Sequence, residues 1–179
     1  MLEVESCCLI VVDVQGKLAQ LMSGKESLFK SIRILIQAAQ ILEIPILWCQ
    51  QVPEALGSTL PEIAELLTGH EAINKASFSC CGAEEFNVKL EALNRSQILL
   101  CGIETHVCIY QTAVDLLGRG LDVAVVADAV SSRTVDNKQI ALSRMTAEGA
   151  RLACTEMVLF ELLKTAQHPQ FRQIAKLVK

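Results

Sequence analysis

Gln97-Ile-Leu-Leu-Cys-Gly-Ile-Glu-Thr-His-Val-Cys-Ile-Tyr-Gln-Thr-Ala-Val-Asp-Leu-Leu-Gly-Arg-Gly-Leu-Asp-Val-Ala-Val-Val126 is the stretch whose reading decides the fold. Its opening run, Gln97–Cys101, has the length and apolar character of a buried strand. A helix opens near Thr105 or His106 and turns Val107, Val114 and Leu117 inward. It closes on Gly118 and Gly120, the residue type that best ends a helix. Asp122–Val126 is then a second buried strand. Strand, helix and strand in this order make a right-handed crossover between parallel strands.

The same alternation extends outward in both directions. Upstream, Cys8-Leu-Ile-Val-Val-Asp-Val14 reads as a fully buried first strand. Helix-period apolar positions follow from Leu28 to Leu42. Pro45–Cys49 is the second strand, a loop through Pro53 and Gly57 leads to a short helix near Pro61, and Ala72–Lys75 is a brief third strand. Phe86, Leu90 and Leu93 mark the next helix. Downstream lie a helix around Lys138–Glu148, a short sixth strand at Arg151–Ala153, and helical stretches at Thr155–Thr165 and Pro169–Val178. Six strands alternating with helices predict a three-layer α/β/α architecture around a parallel sheet. No repeat or linker interrupts it, so residues 1–179 are expected to form one domain.

Composition narrows the function classes. Hydrophobic residues make up 51% of the 179 positions, yet no apolar run approaches the roughly 18 residues of a membrane span. That excess predicts a large core and a homo-oligomer, with Val158, Leu159, Leu162 and Leu163 of the terminal helices as contact candidates. The net charge is −4, without a basic block, which argues against a nucleic-acid partner. The acidic start, Met1–Ser6, has no basic leader. Together with eight cysteines and no C-x-x-C spacing, it fits reduced thiols in a cytoplasmic protein. No glycine-rich phosphate loop or dinucleotide fingerprint is present, so no organic cofactor is expected.

In open α/β sheets ligands bind beyond the carboxyl ends of the strands, which directs attention to three residues. Asp13 ends the first strand among valines, either as a partly desolvated proton-transfer group or as a buried carboxylate satisfied by its own loop. Lys75 closes the third strand, where a lysine either reaches solvent or enters the crevice. Cys108 lies in the first turn of a helix, where free N–H groups and the helix dipole would favour a thiolate and could hold an oxyanion. His106, two residues away, does not face Cys108 on a helix.

These segments resemble the isochorismatase-like cysteine hydrolases. The resemblance rests on Val11-Val-Asp13-Val-Gln15, Asn74-Lys75-Ala-Ser-Phe78-Ser79, Gly102-Ile-Glu-Thr-His-Val-Cys108-Ile-Tyr-Gln-Thr112-Ala113, and the turn-like Ala127-Asp-Ala-Val-Ser-Ser132. It implies a six-stranded, mostly parallel sheet in the order 3-2-1-4-5-6. It also implies that Cys108 is the nucleophile, Asp13 the proton-transfer group and Lys75 their electrostatic partner. The oxyanion donors would be the backbone N–H groups of Glu104 and Cys108, with a cis peptide at Ile103–Glu104. Trp48 and Phe78 would be pocket walls, and Gln15 and Gln50 polar contacts to a small-molecule substrate. The metal-binding members carry an Asp-x-His after strand 2. Here that place reads Trp48-Cys-Gln-Gln51, and the only histidines are His70, His106 and His168, so the chain is similar to the metal-free subgroup. The expected activity is hydrolysis of an amide-type C–N bond. The rival reading is a non-catalytic oligomeric scaffold of the same fold.

Overall fold

The computed structural model describes residues 1–179. In chain order the elements are β1 (Cys7–Val12), α1 (Gly16–Gln20), α2 (Lys25–Ile41), β2 (Ile46–Gln51), α3 (Pro53–Leu56), α4 (Pro61–Ala64), β3 (Ala72–Lys75) and α5 (Glu84–Leu93). Then come β4 (Gln97–Ile103), a π-helical turn (Thr105–Ile109) running into α6 (Tyr110–Gly118), β5 (Asp122–Ser131), α7 (Val135–Ala147), β6 (Arg151–Ala153), α8 (Thr155–Leu163) and α9 (Phe171–Leu177). The sheet order is β3-β2-β1-β4-β5-β6, and every pairing is parallel.

Strand alternation splits the core in two. Cys7, Leu9 and Val11 of β1 face a cluster built with α2, α8 and α9, while Cys8, Ile10 and Val12 face one built with α5, α6 and α7. All six β1 residues are buried, as a central strand covered on both faces requires. Ile32, Leu35 and Ile36 of α2 are among the most buried side chains, each contributing about 1.5–3 kcal/mol on the usual transfer scale. No helix is long and apolar enough to cross a membrane.

Three readings of the sequence change. β5 does not stop at Val126 but continues to Ser131, so Ala127–Ser132 is mostly strand and not a turn. The register shifts there, with Leu100 opposite Val125 but Gly102 opposite Val130. The resulting bulge turns Asp128 outward, where it accepts from the N–H and hydroxyl of Thr155 at 2.8 and 3.0 Å and caps α8. Second, Val158, Leu159, Leu162 and Leu163 are buried within the chain's own core and are not contact surface. Third, the loop after β2 holds the short helix α3.

Two glycines let the chain close around the end of β1. Gly102 has φ +119°, and a Cβ there would lie 2.0 Å from the Val12 carbonyl oxygen. Gly16, at φ +45°, would meet the Leu56 carbonyl at the same distance. Only a residue without Cβ permits either approach.

Candidate active site

Beyond the carboxyl ends of β1, β2, β3 and β4 a single cluster brings Asp13, Lys75 and Cys108 together. Asp13 follows β1 with φ 54°, a left-handed conformation that Asp tolerates better than most residues. Its N–H donates to the Cys49 carbonyl at 3.1 Å, and its carbonyl accepts from Gln15 N–H at 2.8 Å. Lys75, the last residue of β3, sends its ammonium inward. Nζ lies 2.7 Å from Asp13 Oδ2, 2.6 Å from Gln51 Oε1, and 3.2 and 3.0 Å from the carbonyls of Ser77 and Phe78. Both members of the ion pair are buried, with side-chain exposures of 0% for Lys75 and 2% for Asp13.

Burial raises the pKa of Asp13 above the usual carboxylate range, against the opposing charge and hydrogen bond of Lys75. Burial works to lower Lys75, but the negative charges of Asp13, Cys108 and Cys80 and the bond to Asp13 outweigh it and raise it. The pair stands as carboxylate and ammonium, with Asp13 a better proton acceptor than an exposed aspartate. The second carboxylate oxygen, Oδ1, is buried and has no hydrogen-bond partner.

Cys108 is 7% exposed. Burial, and then the charge of Asp13, raise its thiol far above the ordinary value, and Lys75 only partly offsets them. The expectation of a resting thiolate favoured by the helix terminus is therefore corrected. Desolvation exceeds the dipole here, and the resting group is a thiol interacting with a carboxylate.

Cys108 lies in the π-helical turn. The Glu104 carbonyl accepts from Val107 N–H at 3.1 Å and from Ile109 N–H at 3.2 Å, passing over the N–H of Cys108 between them. Such turns insert one residue and recur at functional sites. The Ile103–Glu104 peptide is cis, and the Glu104 N–H has no partner within the protein. Glu104 Oε2 accepts from the backbone N–H and the Nε of Arg133 at 3.2 and 3.0 Å.

A recess of about 100 Å³ opens onto these groups, walled by Leu18, Leu56, Phe78, Ile103 and Val107. Phe78 is thus at the rim, 54% exposed. Gln15, Trp48 and Gln50 do not line it. Gln15 is fully buried and spent on the backbone. Its Nε2 donates to the carbonyls of Gln51 and Gly57, and its Oε1 accepts from Gln51 N–H. Trp48 packs on the opposite face and donates Nε1–H to Thr59 Oγ1 at 2.9 Å. Gln51 lines the recess in place of Gln50. Leu47, Cys49 and Gln51 share one face of β2, so the period of two would have selected it. Its Nε2 also donates to the Ala76 carbonyl at 2.7 Å, which fixes the loop beyond Lys75. His106 turns aside to Ser132 Oγ at 2.9 Å.

The residues do not fit a metal centre. No three His, Cys, Asp or Glu side chains are placed to share an ion, and Gln51 is committed to Lys75 and Ala76. A larger groove of about 680 Å³ beside Arg95 and Arg119 lies at the amino ends of the strands, away from Asp13, Lys75 and Cys108.

Comparison with known proteins adds the following. The family profile described as Isochorismatase domain matches residues 7–157. Isochorismatase domain-containing protein 2A of Mus musculus is 40% identical over 178 residues, covering 98% of this chain and 84% of that protein. The secreted isochorismatase effector Isc1 of Phytophthora sojae is 38% identical over 178 residues, 97% of this chain and 85% of its own. Among solved structures, the MAR1 ribonuclease from Caenorhabditis elegans superposes with a TM-score of 0.93 at 36% identity, covering 99% of this chain and 91% of that one.

Proposed function

Since this chain belongs to the isochorismatase family, we propose that it is a hydrolase cleaving the C–N bond of a small amide-type substrate through Cys108. The observation that carries the reading is one carboxylate, Asp13, lying between a fully buried ammonium and the Cys108 thiol.

In the first step Asp13 takes the thiol proton as Sγ bonds to the substrate carbonyl carbon and the carbonyl electron pair moves onto oxygen. The N–H groups of Glu104 and Cys108 receive that oxyanion. Collapse expels the amine, which leaves with the proton held by Asp13, and an acyl thioester remains. Water then attacks, Asp13 takes its proton, and the carboxylic acid departs as the thiol is restored. Lys75 keeps Asp13 ionised between proton transfers and lowers the cost of the thiolate. No cofactor is required by these steps.

The test is intact-mass analysis of the protein with small amides and esters. A covalent acyl increment is expected, mapping to Cys108 and absent from Cys108→Ala, whose turnover should fall by about 10⁴-fold or more. Turnover that survives in Cys108→Ala would point to another nucleophile, and the absence of both acyl increment and turnover in the parent protein would leave the scaffold alternative as the better account.

The C. elegans protein is described as a ribonuclease. For this chain the net charge of −4 and a recess of about 100 Å³ favour a small molecule over a nucleic acid. The eight cysteines are all free, which suits a reducing compartment such as the cytoplasm. We also propose self-association. It is supported by exposed Met157 and Phe160, one turn apart on α8, and Leu152 on the edge strand β6. A light-scattering mass of one chain at micromolar concentration would overturn it.

A further inference from the structure

The chain between Lys75 and Cys81 supplies much of the site, although its only regular structure is a 3-10 turn at Cys80–Gly82. The carbonyls of Ser77 and Phe78 are two of the four acceptors around the Lys75 ammonium, and Phe78 walls the recess. A segment without a ladder of its own needs anchors elsewhere. One is Gln51, whose Nε2 donates to the Ala76 carbonyl at 2.7 Å. The others come from α6, the helix that continues the turn carrying Cys108.

Thr112 Oγ1 accepts from the Cys80 N–H at 3.0 Å, and Asp115 Oδ2 accepts from the Ser79 hydroxyl at 2.6 Å. Ser79 Oγ in turn accepts from the Cys81 N–H at 3.2 Å. Thr112 and Cys80 are fully buried, and the Cys80 N–H has no other partner. Thr112 lies about one helical turn beyond Cys108, and Asp115 about one turn further. One helix therefore carries the nucleophile and also the two groups that fasten the segment on which the Lys75 ammonium rests. Without the Thr112 hydroxyl the Cys80 N–H would be stranded in a dry core, and the segment would have to shift to reach water. The Ser77 and Phe78 carbonyls would move with it, and the ammonium would lose half of its acceptors.

We infer that Thr112, together with the Ser79–Asp115 pair, is a positioning residue of the site, holding the Lys75 ammonium in fixed relation to the Cys108 sulfur through the backbone of residues 77–80. Its bearing on turnover rests on the hydrolase reading above. Its bearing on the thiol does not, because Lys75 is the charge that lowers Cys108.

The test uses the full chain and the rate at which iodoacetamide labels Cys108, read by peptide mapping in protein whose folding is checked by circular dichroism. Thr112→Val, which is near-isosteric and removes the acceptor, should slow labelling at about pH 8 by about tenfold, the equivalent of one pKa unit. Thr112→Ser should restore the parent rate. The decisive comparison repeats Thr112→Val in a Lys75→Met or Lys75→Gln background, where the effect should vanish because the two residues act through one group. A hydroxyl that only fills space in the core would slow labelling equally with and without Lys75. If Thr112→Val does not fold, Ser79→Ala, on the less buried bond, replaces it in the same cycle with the same expected direction. Parent-rate labelling in the folded variant, or a loss that persists without Lys75, overturns the inference, and the hydrolase reading stands if the parent chain still hydrolyses an amide. The expected labelling pattern in a parent chain that forms no acyl-enzyme and turns over no amide sinks the hydrolase reading and leaves Thr112 its place beside the thiol.

Discussion

Asp13→Asn is expected to cut turnover by about 10²–10⁴-fold, the usual worth of a positioned acid–base group, while making Cys108 more reactive toward a neutral alkylating agent. The two effects have opposite signs because Asp13 has two roles. In the proposed mechanism it is the base that accepts the thiol proton and later delivers it to the leaving amine. As a fixed charge it is, after burial, the largest influence raising the Cys108 pKa. Asparagine removes both, and Lys75 remains nearby to favour the thiolate. Iodoacetamide labelling at neutral pH should therefore accelerate by about tenfold or more, each pKa unit being worth about 1.4 kcal/mol. Parallel loss of turnover and of labelling would show that Asp13 only holds the loop together. Lys75→Met should move labelling the other way, since it withdraws the one charge that lowers the thiol.

Alkaline pH is expected to unfold the protein sharply between about 9 and 12, because so many thiols are buried. Cys7 and Cys81 are each raised from about 9 to about 11, and Cys8 to about 12, with burial as the leading cause in every case. Above pH 9 the unfolded chain releases these protons while the folded chain keeps them. The folded state then binds more protons, so stability falls as pH rises until the folded thiols themselves ionise. Cys8, with no exposure, would by itself cost on the order of 4 kcal/mol across that window. A typical domain has about 5–15 kcal/mol in total. Lys75 adds a loss of the same sign at still higher pH, since its raised pKa favours the fold only while the ammonium survives. Urea titrations at pH 8 and pH 10.5 should show the midpoint collapsing, and Cys8→Ala should flatten the dependence. A constant midpoint over this range would mean that these thiols ionise in place without opening the fold.

The parts of the fold that were legible in the sequence have local causes. β3 and β6 are only four and three residues long, yet their bounds are visible because turn residues flank short apolar runs. The sequence shows β5 only to Val126 because Ala127-Asp-Ala129 lacks the β-branched signature, and its continuation depends on a bulge against β4 that no local pattern encodes. The site divides in the same way. Asp13, Lys75 and Cys108 fall at strand ends or a helix start, positions that topology alone brings together. Leu18 and Leu56 wall the recess from α1 and α3, helices of five and four residues, too short to show a period. In the sequence Gln15 reads as available for substrate because its two hydrogen bonds to the β2 end and its third to the Gly57 carbonyl are tertiary contacts. The acidity of Cys108 is hidden from the sequence for a related reason. A helix terminus is visible in sequence, whereas the depth at which it is buried is not.

The placement of Lys75 has a consequence for the sheet itself. β3 is a margin of the sheet, joined to β2 alone through four residue pairs ending at Gln51 and Lys75, and margins are where sheets fray first. Peeling it away would withdraw the ammonium and maroon the Asp13 charge in a dry interior, a rupture that costs about 3–5 kcal/mol. The ion pair therefore works as a latch on the segment most prone to detach. Because the Lys75 charge also lowers the Cys108 thiol, opening that margin would, in the proposed mechanism, silence the nucleophile as well.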